Sequence, residues 1–320
     1  MRRRDVMVAG ASLAAASGQA QDFPTGPVRG IVPFAPGSAT DTVARLFAER
    51  MREVLGQPVV IENRAGASGL IGAEAVARSA PDGMTLLFGT NSTNAAANAL
   101  FRRVPFDMER DFTPVALLAS VPLLVAVPES SPHRTLAELL TAARARPEAV
   151  TFASTSSSQR VASEMMASMA GVRLLHVPYR AAGAAMQDLL AGRVDMFVAD
   201  QAVLLPAIQS GRARVLAVTT RTRSPQLPQT PTVAEAANLP QYEIFAWFVV
   251  ATPAGTPAPV VARLNAAIRH AGENADLRQR MQETLGMVMM IGSPEEALAF
   301  TRSETVKWTQ AIRSAGIEPE

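Results

Sequence analysis

Residues 33–41, Pro-Phe-Ala-Pro-Gly-Ser-Ala-Thr-Asp, carry an apolar strand into the N-terminus of an amphipathic helix through a Pro/Gly turn. A junction of this kind holds anions. The first backbone N–H groups of a helix have no partner within it, and the macrodipole leaves partial positive charge there. A carboxylate is bound at such a turn without any basic side chain. The chemistry implied is capture rather than bond making.

Patterns that make or break bonds are missing from the chain. It has no Gly-x-Ser-x-Gly nucleophile turn, no phosphate loop and no dinucleotide glycine pattern, and its single lysine, Lys307, follows Ser303 at the wrong spacing for a Ser-x-x-Lys pair. A hydrolase or a carboxylate-binding lyase on an α/β scaffold is thus the weaker alternative. His133, His176 and His270 stand far apart without metal-ligand spacing, so no metal is expected. Cysteine is absent, which removes disulfides, thiolate metal sites and cysteine nucleophiles. No cofactor is expected.

The turn needs a scaffold, and the apolar pattern supplies one. Val28–Phe34 reads as a buried strand, and Val43, Phe47, Met51 and Val54 recur at helical spacing up to Gly56. Strand Pro58–Glu62, helix Ile71–Ser79 and strand Met84–Gly89 follow. The last opens onto the loop Thr90-Asn91-Ser92-Thr93-Asn94, and a helical stretch then runs to Arg103. This is the βαβ rhythm of a parallel sheet.

From Phe112 to Val127 the chain is almost continuously apolar, which places a crossing into a second domain there. The rhythm then restarts. Helix Leu136–Ala145, strand Val150–Ala153, a serine-rich turn Ser154–Ser158 and helix Val161–Ala170 come first. Strand Leu174–Val177, helix Ala184–Ala191, strand Val194–Ala199 ending at Asp200, and strand Arg214–Thr219 complete it. A second apolar run, Ile244–Ala251, marks the return. Two closing helices have marked starts, Thr256-Pro257 and Ser293-Pro294-Glu295-Glu296, each with a hydroxyl before a proline at the first helical position. The expected fold is α/β, with two lobes, two crossover strands and a cleft between them. Residues 21–121 and 245–320 form the first lobe and 122–244 the second, in line with the two domains that the length favours.

Residues 1–20 read as a cleaved export signal: Arg2, Arg3 and Arg4 precede a modest apolar run from Val6 to Ala16 and the small-residue site Gly18-Gln19-Ala20. The arginines resemble a twin-arginine signal, and the general secretory route stays open. The apolar run is short of the roughly 20 residues that span a bilayer. Cleavage takes three arginines and one aspartate away, so the formal net charge falls from +2 to zero. With no charge excess and no basic stripe, nucleic acid is excluded as a partner. A chain lacking a cysteine after its signal carries no lipid anchor, so a soluble, monomeric protein in a Gram-negative periplasm is expected.

Several ordered segments carry a family resemblance. They are Pro33-Phe34-Ala35-Pro36-Gly37 with Asp41 and Arg45, Val60-Ile61-Glu62-Asn63-Arg64 followed by Gly66, Gly69 and Gly72, and Asp82-Gly83. Asp111-Phe112-Thr113-Pro114-Val115, His176-Val177-Pro178-Tyr179, Pro228 with Pro231-Thr232-Val233 and Glu235, and Trp247 with Ala254-Gly255-Thr256-Pro257 continue the series. Together they resemble the substrate-binding receptors of the tripartite tricarboxylate transporter system, the Bug-type periplasmic receptors, over the whole mature chain.

The resemblance implies a type II periplasmic binding fold that closes on a small carboxylate and delivers it to membrane permease subunits. It implies that the first-lobe turn, Phe34, Ala35, Gly37, Ser38 and Asp41, meets a ligand carboxylate, with Asn91 and Ser92 beside it. From the second lobe it brings Thr155, Ser156, Ser157, Tyr179, Gly183 and Asp200. All these positions fall where strands end and helices begin, which is where open α/β sheets place ligands. Asp41 has two readings, ligand contact and helix cap. Asp200, facing an acidic ligand, has to hold a water, meet a ligand amine or hydroxyl, or cap a helix.

Three departures from the family pattern bear on the ligand. Ser38 stands where a second glycine is usual, Arg160 near where a histidine is common, and Ala181-Ala182 where glycine is usual. Arg160 either pairs with a second carboxylate of a dicarboxylate or is a solvated surface arginine. Trp247 and Met287–Met290 read as core, and Glu62-Asn63-Arg64 either organises the loop before Gly66 or faces the permease. An exported sensor that signals to a membrane kinase requires the same closure on ligand, so sequence does not separate sensing from transport.

Overall fold

The computed structural model describes residues 23–319, so the export signal expected at residues 1–20 lies outside the described residues. The first half of the chain forms β1 (Val28–Val32), α1 (Ala39–Leu55), β2 (Val59–Asn63), α2 (Leu70–Ala77), β3 (Thr85–Thr90) and α3 (Ala97–Leu100). A long strand, β4 (Phe112–Pro128), leads to α4 (Leu136–Ala145), β5 (Thr151–Ser154), α5 (Ser157–Met169), β6 (Leu175–Pro178) and α6 (Ala182–Leu190). Then come β7 (Met196–Asp200), α7 (Gln201–Gln209), β8 (Ala213–Val218) and α8 (Val233–Ala237). The chain closes with β9 (Phe245–Pro253), α9 (Ala258–Glu273), α10 (Ala275–Gln279), β10 (Val288–Met289) and α11 (Pro294–Ser314).

The strands run in the order β2-β1-β3-β9-β4-β7-β5-β6, with β8 and β10 also paired to β4. Within each half the pairing is parallel, β1 with β2 and β3, and β5 with β6 and β7. The halves are joined antiparallel through β4. Its residues from Phe112 to Pro122 pair with β9, while Leu123–Ala126 pair with β7 and Leu124–Pro128 with β8. One strand therefore serves both halves, and the result is a two-lobed α/β fold with two crossover strands. β3 is buried along its whole length, as expected of a strand covered on both faces.

Helix α1 illustrates the packing. Val43, Phe47 and Met51 fall on one face and are fully buried, each contributing about 1.5–3 kcal/mol by leaving water. The helix stops at Gly56, whose left-handed backbone (φ 70°) lets its N–H donate to Arg52 O at 2.9 Å. The start of α11 follows the expected capping box, with the Ser293 side chain accepting from Glu296 N–H and Glu296 accepting from Ser293 N–H.

Two local expectations are corrected, and three helices are added to those expected. The stretch after β3 is a π-helical turn, Ser92–Ala96, with Asn91 already in helical conformation, because the chain turns back at once against α11. Asp200 ends β7 as expected and takes the capping role among those open to it, at the start of α7, a helix that the sequence did not announce. Short helices α8 and α10 occupy segments that carry no clear apolar period. Thr256 does not cap α9: Pro257 is the N-cap residue, and the Thr256 hydroxyl donates to Pro253 O at 2.7 Å.

Candidate functional site

The first-lobe turn is held rigid from below. Ser38 caps α1 by accepting from Asp41 N–H at 3.2 Å, and Thr42 N–H bonds to Ser38 O at 3.0 Å. That leaves the N–H groups of Ala39 and Thr40 as the helix's unused donors. The Asp41 carboxylate accepts from Gly37 N–H at 3.0 Å, from Arg45 Nε at 3.1 Å and from Asn63 Nδ2 at 2.9 Å. Burial pushes the Asp41 carboxyl up, but the bonds from Arg45, Gly37 and Asn63 outweigh it and hold the group below its ordinary value. Asn63 Nδ2 also donates to Phe34 O at 3.0 Å. Asp41 and Asn63 thus fasten the turn, and Asn63 does so from β2, far away in sequence.

Across the cleft the helices begin differently. Helices α4, α8 and α11 carry full capping boxes, whereas α5 and α6 have N-cap residues, Ser156 and Ala181, that make no side-chain cap bond. Gln159 Oε1 takes the Thr155 N–H at 2.7 Å and the Thr155 hydroxyl at 3.0 Å. Ser157 is buried and its hydroxyl has no partner among the described residues. The two lobes touch at Ser92 and Ser158, whose hydroxyl oxygens are 3.0 Å apart.

Two adjoining chambers lie between these elements. The inner one, about 60 Å³, is walled by the starts of α1, α5, α6 and α7 and by Ser92 of the π-helical turn. The outer one, about 550 Å³, is walled by the loop 65–69, the Ser154–Ser157 turn and residues 178–180. Phe34, Thr155 and Ser156 line both. Of the residues expected at the site, Phe34, Ser38, Ser92, Thr155, Ser156 and Asp200 line the inner chamber. Ala35, Ser157 and Tyr179 line the outer one with Phe34, Thr155 and Ser156.

Gly37, Asp41, Asn91 and Gly183 line neither chamber. The Gly37 N–H is taken by Asp41, and Asn91 is fully buried with its Oδ1 3.4 Å from Trp247 N. Gly183 is exposed, and its neighbour Ala182 reaches the inner chamber instead. Sequence reasoning missed Ser158 and Gln159. The signal for Ser158 was its place at the end of the serine-rich turn, while Gln159 had none, since its role is to tie down Thr155.

The charges are sorted between the chambers. Among the described residues no basic side chain lines the inner one, and Asp200 is its one ionisable group. Asp200 Oδ1 caps α7 by accepting from Val203 N–H at 3.2 Å. Burial pushes its carboxyl up to about 6, partly offset by the N–H groups of Val203, Asp200 itself and Ala202. The outer chamber has Arg160, Arg180 and His176 in its walls and, among the described residues, no acidic one. Arg160 is ion-paired to Glu164 at 2.9 Å, and His176 Nε2 lies 2.7 Å from Ser154 Oγ with its ring stacked on Phe152. The Tyr179 hydroxyl donates to Asp188 Oδ2 at 2.6 Å, and burial together with that bond pushes its pKa up to about 12. Trp247 is core: its indole N–H donates to buried Glu304 at 3.0 Å.

Among the described residues no cluster of His, Asp and Glu has the arrangement of a metal site, and no helix is long and apolar enough to cross a membrane. The arrangement suits capture of a small anion by backbone N–H groups and hydroxyls in a space walled by both lobes.

Comparison with known proteins identifies the family and the fold. The sequence profile described as "Tripartite tricarboxylate transporter family receptor" matches residues 43–317. The chain is 43% identical over 293 residues to a UPF0065 protein in the tcbD-tcbE intergenic region of Pseudomonas sp. (strain P51), covering 91% of this chain and 86% of the relative. It superposes on R. palustris Rpa4515, solved with adipate, with a TM-score of 0.89 and 36% identity over 93% of this chain and 100% of the other. For MatC from Rhodopseudomonas palustris with bound malate the TM-score is 0.84 and the identity 34%, over 91% of this chain and 100% of the other. The fold is that of the two-lobed periplasmic solute-binding proteins, and the chain belongs to the tripartite tricarboxylate transporter receptor family.

Proposed function

We propose that the protein is a periplasmic receptor that captures a small carboxylate between its two lobes and delivers it to the membrane permease of a tripartite tricarboxylate transporter. One observation carries the reading. The starts of α1, α5, α6 and α7 converge on one small chamber; the N-cap residues of α5 and α6 make no side-chain cap bond, and the Ser158 N–H of α5 is met from across the cleft by Ser92 Oγ at 3.3 Å. A carboxylate there completes the helix ends that the sequence leaves open, with the hydroxyls of Ser92, Thr155 and Ser158 around it.

Two related structures hold carboxylates, adipate in one and malate in the other, which supports the same ligand class here. The lobes are residues 21–121 with 245–320, and 122–244. Ligand contacts made by both lobes favour the closed arrangement, which is the form a permease reads. Such a site binds and releases, so the protein acts as a carrier and not as an enzyme.

The test is thermal unfolding of the purified protein with adipate, malate and their amides. A saturating rise in melting temperature with an acid and not with its amide supports the reading. A folded, ligand-free protein that responds to neither acid contradicts it.

A further inference from the structure

We infer that the groove behind the hinge, between α5 and α11, widens as the lobes close, so that side chains filling it raise ligand affinity without touching the ligand. The inference rests on closure of the lobes around a ligand, as proposed above, and adds the part of the molecule that sets how easily they close.

The two crossover strands run side by side where the lobes meet, with Val121 paired to Ala246 and Pro122 to Phe245. Successive residues of a strand point to opposite faces. In β9, Ala246 and Phe248 line the inner chamber. Phe245 and Trp247 meet α11 on the other face. Lys307 Nζ lies 4.7 Å from the centre of the Phe245 ring, and the Trp247 indole N–H donates to Glu304 at 3.0 Å. Glu304 is buried, accepts from Trp308 Nε1 at 3.0 Å and is ion-paired to Lys307 at 3.4 Å. Helix α11 is therefore fastened to the rear of the strand whose front walls the chamber.

Helix α5 reaches from one side of this strand to the other. Its first turn, with Ser158 and Gln159, walls the inner chamber. Midway along, Ala162 O accepts from the buried Tyr242 hydroxyl at 2.9 Å, which ties α5 to the segment entering β9. Its last turn lies about 15 Å from the first at the helical rise. There Met165, Ser168 and Met169, spaced to share one face, line a groove of about 550 Å³ with Trp308, Ala311 and Ala315 of α11.

The pivot thus stands between chamber and groove. A rotation about the crossover strands that narrows the chamber in front widens the groove behind, and the reverse motion narrows it. A bulky side chain in the groove resists that narrowing and so disfavours the open form. Affinity then rises in proportion to the fraction of the protein already closed, whatever the ligand.

The test compares the wild type with Ala311→Phe and Ser168→Phe, which fill the groove from its two walls. Ser168 is exposed, so its replacement leaves the packed core intact. In calorimetric titration with adipate, malate and succinate, both variants are expected to bind each acid at least about threefold more tightly than the wild type, and by the same factor for all. Without ligand, both are expected to show a smaller radius of gyration in X-ray scattering than the ligand-free wild type. Unchanged or weaker binding by both folded variants, factors that differ among the acids, or an unchanged radius of gyration would overturn the inference and leave the carboxylate reading standing. If the wild type binds none of the acids, the carboxylate reading fails and the radius of gyration alone decides the inference.

Discussion

Ser92 on the first lobe and Ser158 on the second meet across the cleft, with their hydroxyl oxygens 3.0 Å apart and the Ser158 N–H donating to Ser92 Oγ at 3.3 Å. Each side chain sits in the first turn of a helical segment, next to the inner chamber. The contact between the lobes thus uses two hydroxyls that are also part of the chamber wall.

The pair therefore links closure to binding. Ser92→Ala and Ser158→Ala each remove a bond worth about 0.5–1.5 kcal/mol and are expected to weaken ligand binding several-fold. The two losses are expected to be non-additive in a double-mutant cycle, with a coupling of about 1 kcal/mol. Strictly additive losses would mean that the contact does not contribute to the closed state.

Gly37 has φ 78°, a left-handed conformation that a β-branched residue adopts only with strain, although there is open space around it. Gly37→Val is expected to cost about 1–3 kcal/mol in urea unfolding and to weaken binding, because the strained turn shifts the Ala39 and Thr40 donors. Gly37→Asn, which tolerates that conformation, is expected to lose much less of both. Equal effects of the two substitutions would point to bulk rather than backbone geometry.

Asp41 fastens the same turn without reaching the chambers. Asp41→Ala removes charged hydrogen bonds to Gly37, Arg45 and Asn63 and is expected to destabilise the protein by about 2–3 kcal/mol. The folded-state pKa of Asp41 is lowered, so its contribution is present above the ordinary carboxylate value and is lost as pH falls through the folded value. The difference between wild type and Asp41→Ala in chemical unfolding is expected to narrow at acid pH. A difference that widens there would contradict this role.

Asp200 works in the opposite sense. Its folded-state value, about 6, lies above the ordinary 3.8, so the folded protein binds this proton more tightly than the unfolded chain. Stability from this group is full below about pH 4, declines as pH rises through 6 and is gone above it. Asp200→Asn keeps a good N-cap and is expected to stabilise the protein at pH 8 by up to about 3 kcal/mol, with no gain at pH 4. Carboxylate affinity of the wild type is expected to rise as pH falls from 8 to 6, and the variant is expected to lose that dependence. A pH-independent difference in stability would remove Asp200 from the account.

Much of the architecture is legible in the sequence because local and tertiary preferences agree. The apolar run into Pro33, the α1 stripe of Val43, Phe47 and Met51, the Gly56 stop and the Ser293–Glu296 box are all local signals. Helix α7 is hidden because Gln201–Gln209 is a nearly unbroken apolar run containing Pro206, without a polar face to show a period. The turn Ser92–Ala96 is hidden because Ser, Thr and Asn favour loops, and here burial against α11 overrides that preference. At the site, the strand-to-helix positions are visible, but which N–H groups remain free depends on Asn63 and Gln159. The bonds of Asn63 span 22 and 29 residues, and no local pattern announces them.

The central claim, that an acid is captured between the lobes by open helix ends, is tested most directly by calorimetric titration of the purified protein with adipate against adipamide at pH 7. The account predicts saturable one-to-one binding of adipate and none of adipamide. Equal binding of the two, or no binding of adipate and the other dicarboxylates by folded, ligand-free protein, would contradict it.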